Sequence, residues 1–160
     1  PPGDGNAWNS ANAVDAGILG QRVGVVGDHA AIYWPRLKVA DDQGNDLTID
    51  PAGSIAGLYA RTDNDRGVWK APAGIGATLS GVRGLQYKIT DVENGITNLD
   101  AVNTNRLFAQ GIVSWGSRTV AGFENSGEDD WRYVPVRRLA LMIEESLYRG
   151  LKFSVFEPND

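Results

Sequence analysis

The chain has 160 residues, 42% of them hydrophobic, with 15 basic against 20 acidic side chains and a formal charge of -5. A chain of this length and composition is expected to fold as one domain, burying roughly 70% of the surface its unfolded form exposes, with no room for a second core. The acidic balance disfavours the phosphate attraction behind most nucleic-acid binding, and the absence of cysteine removes disulfides and thiolate metal sites.

The first residues, Pro1-Pro2-Gly3-Asp4-Gly5, lack the basic start and apolar stretch of a secretion signal, and no apolar run approaches the ~20 residues of a bilayer span. Neither a signal peptide nor a membrane anchor is expected. Residues 1 to 13 read as an entry loop, with Ser10 or Asn12 capping a short helix near Ala13 to Leu19. Ala31 to Val39 reads as an extended segment that Pro35 confines to an edge or a bulge. Asp41 to Asp46 is a polar turn before a short strand, Leu47 to Ile49. Ser54 is the expected N-cap of a helix that places Ile55, Leu58, Tyr59 and Thr62 on one face and ends at Gly67.

Val68 to Ser80, rich in Gly, Ala and Pro, reads as a surface connection, and Val82 to Ile89 as a strand. Asp91 opens a helix-like turn that Asn94-Gly95 interrupts; Arg106 to Ala109 and Gly111 to Arg118 are extended, and Gly122 to Asp130 is an acidic loop. Trp131 to Val134 resembles a strand. Pro135 then sits at the first position of a helix whose Val136, Leu139, Ala140, Ile143 and Leu147 form one stripe. Gly150 stops it and Leu151 to Phe156 returns as a strand, a pattern that predicts a right-handed crossover. The fold class expected is therefore α/β, a mostly parallel or mixed sheet flanked by helices.

Residues for chemistry are sparse. His29 is the one histidine and follows Asp28, so a hydrolase would need Ser54 or Ser114 to converge on that pair; the stretch around Ser114 fails the G-x-S-x-G spacing of a nucleophile elbow. The glycines of Gly20 to Gly27 lack the pattern of a phosphate loop, and Asp41, Asp42 and Asp46 lack that of a calcium hand. No catalytic, metal or cofactor residue is assigned. Rings such as Trp34, Tyr59, Trp69, Trp115, Trp131 and Tyr133 would serve a carbohydrate- or receptor-binding module only if exposed together. On the last helix, Leu141 and Tyr148 project opposite the main stripe, flanked by Arg137 and Glu144. These four are the candidate subunit-contact residues, and a covering layer from the same subunit or a neighbour is implied.

Several longer segments resemble the tail sheath family of contractile phages and related injection systems. They are Ala30 to Leu37, Pro51 to Pro72 (PAGSIAGLYARTDNDRGVWKAP), the SWGSRTV of Ser114 to Val120, and Trp131 to Asp160. The resemblance implies a truncated subtilisin-like sheath core without protease activity: residues 1 to 160 as the C-terminal part of that core, its N-terminal part, the C-terminal domain and the linking arms being absent. It also implies stacked hexameric rings of sheath subunits forming a helix around an inner tail tube above a baseplate, with no cofactor, and a fragment that is monomeric once its arms are gone. Tyr59, Trp69, Trp115, Trp131 and Phe156 are then expected to pack. Arg61, Arg66, Lys70, Arg118, Arg132, Arg137 and Arg138 would be divided between internal bonds and subunit contact.

Overall fold

The computed structural model describes residues 26–123 and 130–156. The helix expected near Ala13 to Leu19, most of the Gly20 to Gly27 run and residues 124–129 of the acidic loop lie outside them.

The extended segment over Ala31 to Val39 is two strands, β1 (Ile32–Trp34) and β2 (Leu37–Ala40), parted at Pro35, which has no N–H to give to a ladder. The break sends the strands into different sheets. β2 is the centre of a three-stranded antiparallel sheet between β3 (Asp46–Ile49) and β4 (Val82–Leu85). The Asp41 carboxylate closes the β2–β3 turn by accepting from the amides of Gln43 and Asn45, both at 2.8 Å, and Gly44 takes a φ of 87° there.

Helix α1 (Ala52–Asp65) begins two residues before Ser54, with Pro51 at the N-cap and no side-chain cap. Its Ile55 and Leu58 are buried as the spacing requires. Gly67, with a φ of 109°, donates its amide to the Thr62 carbonyl and ends the helix as expected. The next segment is not the surface connection its composition indicates. Pro72, Ala77 and Leu79 are buried, Leu79 donates to the Ile112 carbonyl at 2.8 Å, and Ser114 donates to Ala77 at 3.0 Å. The segment covers the free edge of β6 (Gly111–Ser114), whose backbone groups need partners.

Helix α2 (Asp91–Leu99) runs straight through Asn94-Gly95. A capping box outweighs the glycine: Thr90 accepts from the Glu93 amide while the Glu93 carboxylate accepts from the Thr90 amide. β5 (Val102–Phe108) then pairs parallel with β1, Ile32 opposite Val102, and antiparallel with β6, Asn105 opposite Ser114. This second sheet is therefore mixed. Among the described strands only β1 and β5 run parallel. Leu37, Ile55, Leu58, Ala77, Leu79 and Ile112 form the main core, and Trp34, Ile89 and Val102 a second cluster.

The last part departs most from expectation. Trp131 to Val134 is no strand; Tyr133 makes one isolated bridge to Arg118. Helix α3 (Val134–Gly150) forms with Pro135 in its first turn, but Val134 is its one buried residue. Val136, Ile143 and Leu147 of the predicted stripe are exposed. Leu151 to Phe156 makes a short 3-10 turn, Lys152–Ser154, instead of a strand, and none of the described strands pairs with it. Among the described residues the predicted crossover is therefore absent. Trp69 and Phe156, expected to pack, are also exposed, Phe156 fully at 101%.

Candidate subunit-contact surface

The position of α3 is set by one buried amide. Asn103 on β5 donates through Nδ2 to the carbonyls of Ile32, at 3.1 Å, and Arg118, at 2.8 Å, and its Oδ1 accepts from the Arg118 amide at 2.7 Å. A Cβ on Gly116 would stand 2.8 Å from the Asn103 Cα, so this close approach admits only glycine. The segment thus anchored clasps the start of α3: the Thr119 hydroxyl donates to the Trp131 carbonyl at 2.6 Å, its amide to Arg132, and the Val134 amide to Ser117. The SWGSRTV segment is therefore a bracket for the last helix.

Two arginines of the first turns complete the attachment. Arg138 holds the Asp63 carboxylate of α1 with both terminal nitrogens, at 2.8 and 2.5 Å, and lies 4.8 Å from the centre of the Tyr59 ring. The Asp63 hydrogen bond raises the Arg138 pKa further. Tyr59 in turn shares a 2.7 Å hydrogen bond with Tyr33, whose hydroxyl burial pushes far above its ordinary value. Arg137 stacks over Trp131, pairs with Asp28 at 3.2 Å and donates to His29 Nε2 at 2.8 Å.

The same geometry fixes the surroundings of the Asp28–His29 pair. His29 Nδ1 faces Asp28 Oδ1 at 2.8 Å, the polarity a catalytic pair would need, and the hydrogen bond from His29 holds the Asp28 carboxyl below its usual range. A guanidinium can only donate, so the Nε2 lone pair that would activate a serine is taken by Arg137. The adjoining pocket, about 250 Å³, is lined by Asp28, His29, Tyr59, Thr119, Arg137 and Leu141 among others, and neither Ser54 nor Ser114 reaches it. Ser114 is fully buried in β6. The rings are likewise dispersed: Trp34 is buried, Trp115 packs on Phe108 and Trp131 lies under Arg137, leaving Trp69 and Tyr133 exposed. Among the described residues no group of His, Asp and Glu is gathered to hold a metal, and no helix is long and apolar enough to cross a membrane.

Of the four candidate contact residues, Arg137 is turned inward, its side chain 12% exposed and committed to Asp28, His29 and Trp131. Leu141, Glu144 and Tyr148 face outward with Tyr148 68% exposed. They belong to a larger exposed surface that includes Met142, Ile143, Leu147, Leu151, Phe153 and Phe156, of which the predicted main stripe holds Ile143 and Leu147. The signal, apolar residues on more than one side of α3, implies the need for a covering layer, but the expected contact does not extend past Tyr148.

No family model matches the chain. It is 32% identical over 136 residues to the tail sheath protein of Burkholderia phage BcepMu, covering 75% of this chain and 26% of that protein. It is 30% identical over 128 residues to the tail sheath protein of Enterobacteria phage T4, covering 77% of this chain and 19% of that one. The helical sheath of the anti-feeding prophage in its contracted state superposes with a TM-score of 0.72 at 39% identity, covering 86% of this chain and 36% of that chain. The contracted sheath complex of the extracellular contractile injection system PVC gives 0.72 at 37% identity, over 90% of this chain and 39% of that chain. Thus the chain spans about a quarter or less of the curated relatives' length, and at that span, by sequence and by fold together, it belongs to the tail sheath family of contractile phages and contractile injection systems.

Proposed function

We propose that this chain is a rigid block of a sheath subunit, a structural part of a contractile phage tail or injection system that performs no catalysis. The observation that carries the reading is the likeness to two contracted sheaths over 86% and 90% of the chain at 39% and 37% identity. In the full-length subunit the block is the C-terminal part of the core, joined to further core, a C-terminal domain and linking arms. Copies stack as rings in a helix around an inner tube, above a baseplate. Head-to-tail contacts that do not close on themselves generate such a filament. Contraction then requires only that the contracted interfaces be slightly favoured per subunit, a preference summed over many identical copies. A triad position filled by Arg137 and a core held by internal hydrogen bonds support a mechanical role. Leu141, Glu144 and Tyr148 offer a surface for contact beyond this chain, with Arg137 bracing it from within.

The test is negative-stain electron microscopy of the full-length protein expressed alone. Tubes of stacked rings are expected. Folded, concentrated protein that stays dispersed under every salt and pH condition overturns the proposal.

A further inference from the structure

We infer that the outer half of α3 and the segment following it to Phe156 pack, in the full-length protein, against further chain of the same subunit and not against a neighbouring copy. The inference rests on the sheath reading above. Every residue from Leu141 to Phe156 is exposed, among them Met142, Ile143, Leu147, Tyr148, Phe153 and Phe156. On the helix, Ile143 and Leu147 share one side, and Leu141 and Tyr148 lie nearly opposite. The arm from Leu141 to Gly150 is about 15 Å long, and a free helix of that length is marginal in water without packing on its apolar faces.

Three observations choose the occupant. From Leu141 to Phe156 the charges cancel, Glu144 and Glu145 against Arg149 and Lys152, with Arg149 ion-paired to Glu145, so nothing selects a charged surface and the complement is apolar protein. The apolar positions face two ways, so the cover must enclose the helix, not abut it. An enclosed helix is locked, whereas contacts between copies that shift during contraction must separate and re-form. Finally, the matched sheath chains extend well past this span, which covers 36% and 39% of them. Their additional chain needs an apolar seam by which to join this block, and the outer half of α3 presents one.

The absence of cysteine from these 160 residues makes the test clean. In the full-length protein, with any other cysteine replaced, Leu147→Cys and Tyr148→Cys are labelled with a maleimide, and Gln43→Cys in the exposed β2–β3 turn serves as the open reference. Unassembled protein is taken from gel filtration and assembled protein from sedimentation. In the unassembled fraction both α3 sites should label slower than Gln43→Cys, by on the order of tenfold or more. Labelling as fast as the reference overturns the inference, and if protection then arises on assembly the cover is a neighbouring copy. Hydrogen exchange over residues 141–156 of the unsubstituted, unassembled protein reads the same protection without a substitution: slow exchange supports the inference and fast exchange overturns it. Microscopy of the same samples tests tube formation separately, so a failed sheath reading and an uncovered α3 are distinguishable.

Discussion

Strand β5 and helix α3 distribute polarity in opposite senses. Asn103, Thr104 and Asn105 of β5 are all buried, whereas Met142, Ile143, Leu147 and Tyr148 of α3 lie in water. Burial of a polar side chain is tolerable where its hydrogen bonds are met, and most of them are supplied across the fold: Asn103 joins β1 to the segment at Arg118, Thr104 donates to Asn94 of α2 at 2.5 Å, and Asn105 donates to the Pro35 carbonyl, its Oδ1 alone among these groups lacking a partner. These bonds tie together segments that meet once, at one register, which specifies the block's shape. Among the described residues, exposed leucine and tyrosine on α3 contribute nothing comparable.

The sharpest way to break this contrast is Asn103→Leu. It leaves the Ile32 and Arg118 carbonyls and the Arg118 amide without their buried partner, and a loss of about 3 kcal/mol or more is expected in urea unfolding. A near-neutral result would mean that the polar interior is incidental. Next comes Asp63→Ala, which strips the forked, partly exposed partner of Arg138; about 1 to 2 kcal/mol is expected, with a double-mutant cycle against Arg138→Met isolating the pair.

Thr90→Ala removes the cap of α2 and should cost about 1 kcal/mol. The same cap has a pH signature. The hydrogen bond from the Tyr87 hydroxyl, followed by those from Thr90, holds the Glu93 carboxyl below its ordinary 4.5. A value lowered in the folded state means stability present above about pH 4.5 and lost as the pH falls through the folded value. Acid titration of the unfolding midpoint should therefore show a step in the wild type that Glu93→Gln lacks. The smallest effect is expected from Leu147→Ser in the 160-residue chain, within about 0.5 kcal/mol because the side chain is exposed. A loss comparable to that of Asn103→Leu would show that α3 already has its cover.

What could be read in the sequence was whatever a few neighbouring residues decide. The β2–β3 turn follows from Asp41 and Gly44, the end of α1 from Gly67, and the start of α3 from Pro135. The α2 capping box was equally local but was masked by Asn94-Gly95, a pair that turns a chain only when no cap competes. Two kinds of error were not local. Alternating Leu151, Phe153 and Val155 imitate a strand, yet a strand exists only beside another, and none of the described strands pairs with them. Val68 to Ser80 has the composition of a surface loop, but the open edge of β6 draws Ala77 and Leu79 inward.

The candidate contact residues divide along the same line. The periodicity of α3 placed Leu141 and Tyr148 on one side of the helix, which geometry alone dictates. That Arg137 faces Asp28, His29 and Trp131 depends on residues over a hundred positions away for the first two, and no window of sequence contains them together. The sequence by itself determined helices α1 and α3, the residues that end them and the family to which the chain belongs, since these reside in short-range sterics and in the order of residues. Only the tertiary structure decided which polar groups are buried, which arginines are internal and which apolar face is left open, because each depends on partners that folding alone brings within a few ångströms.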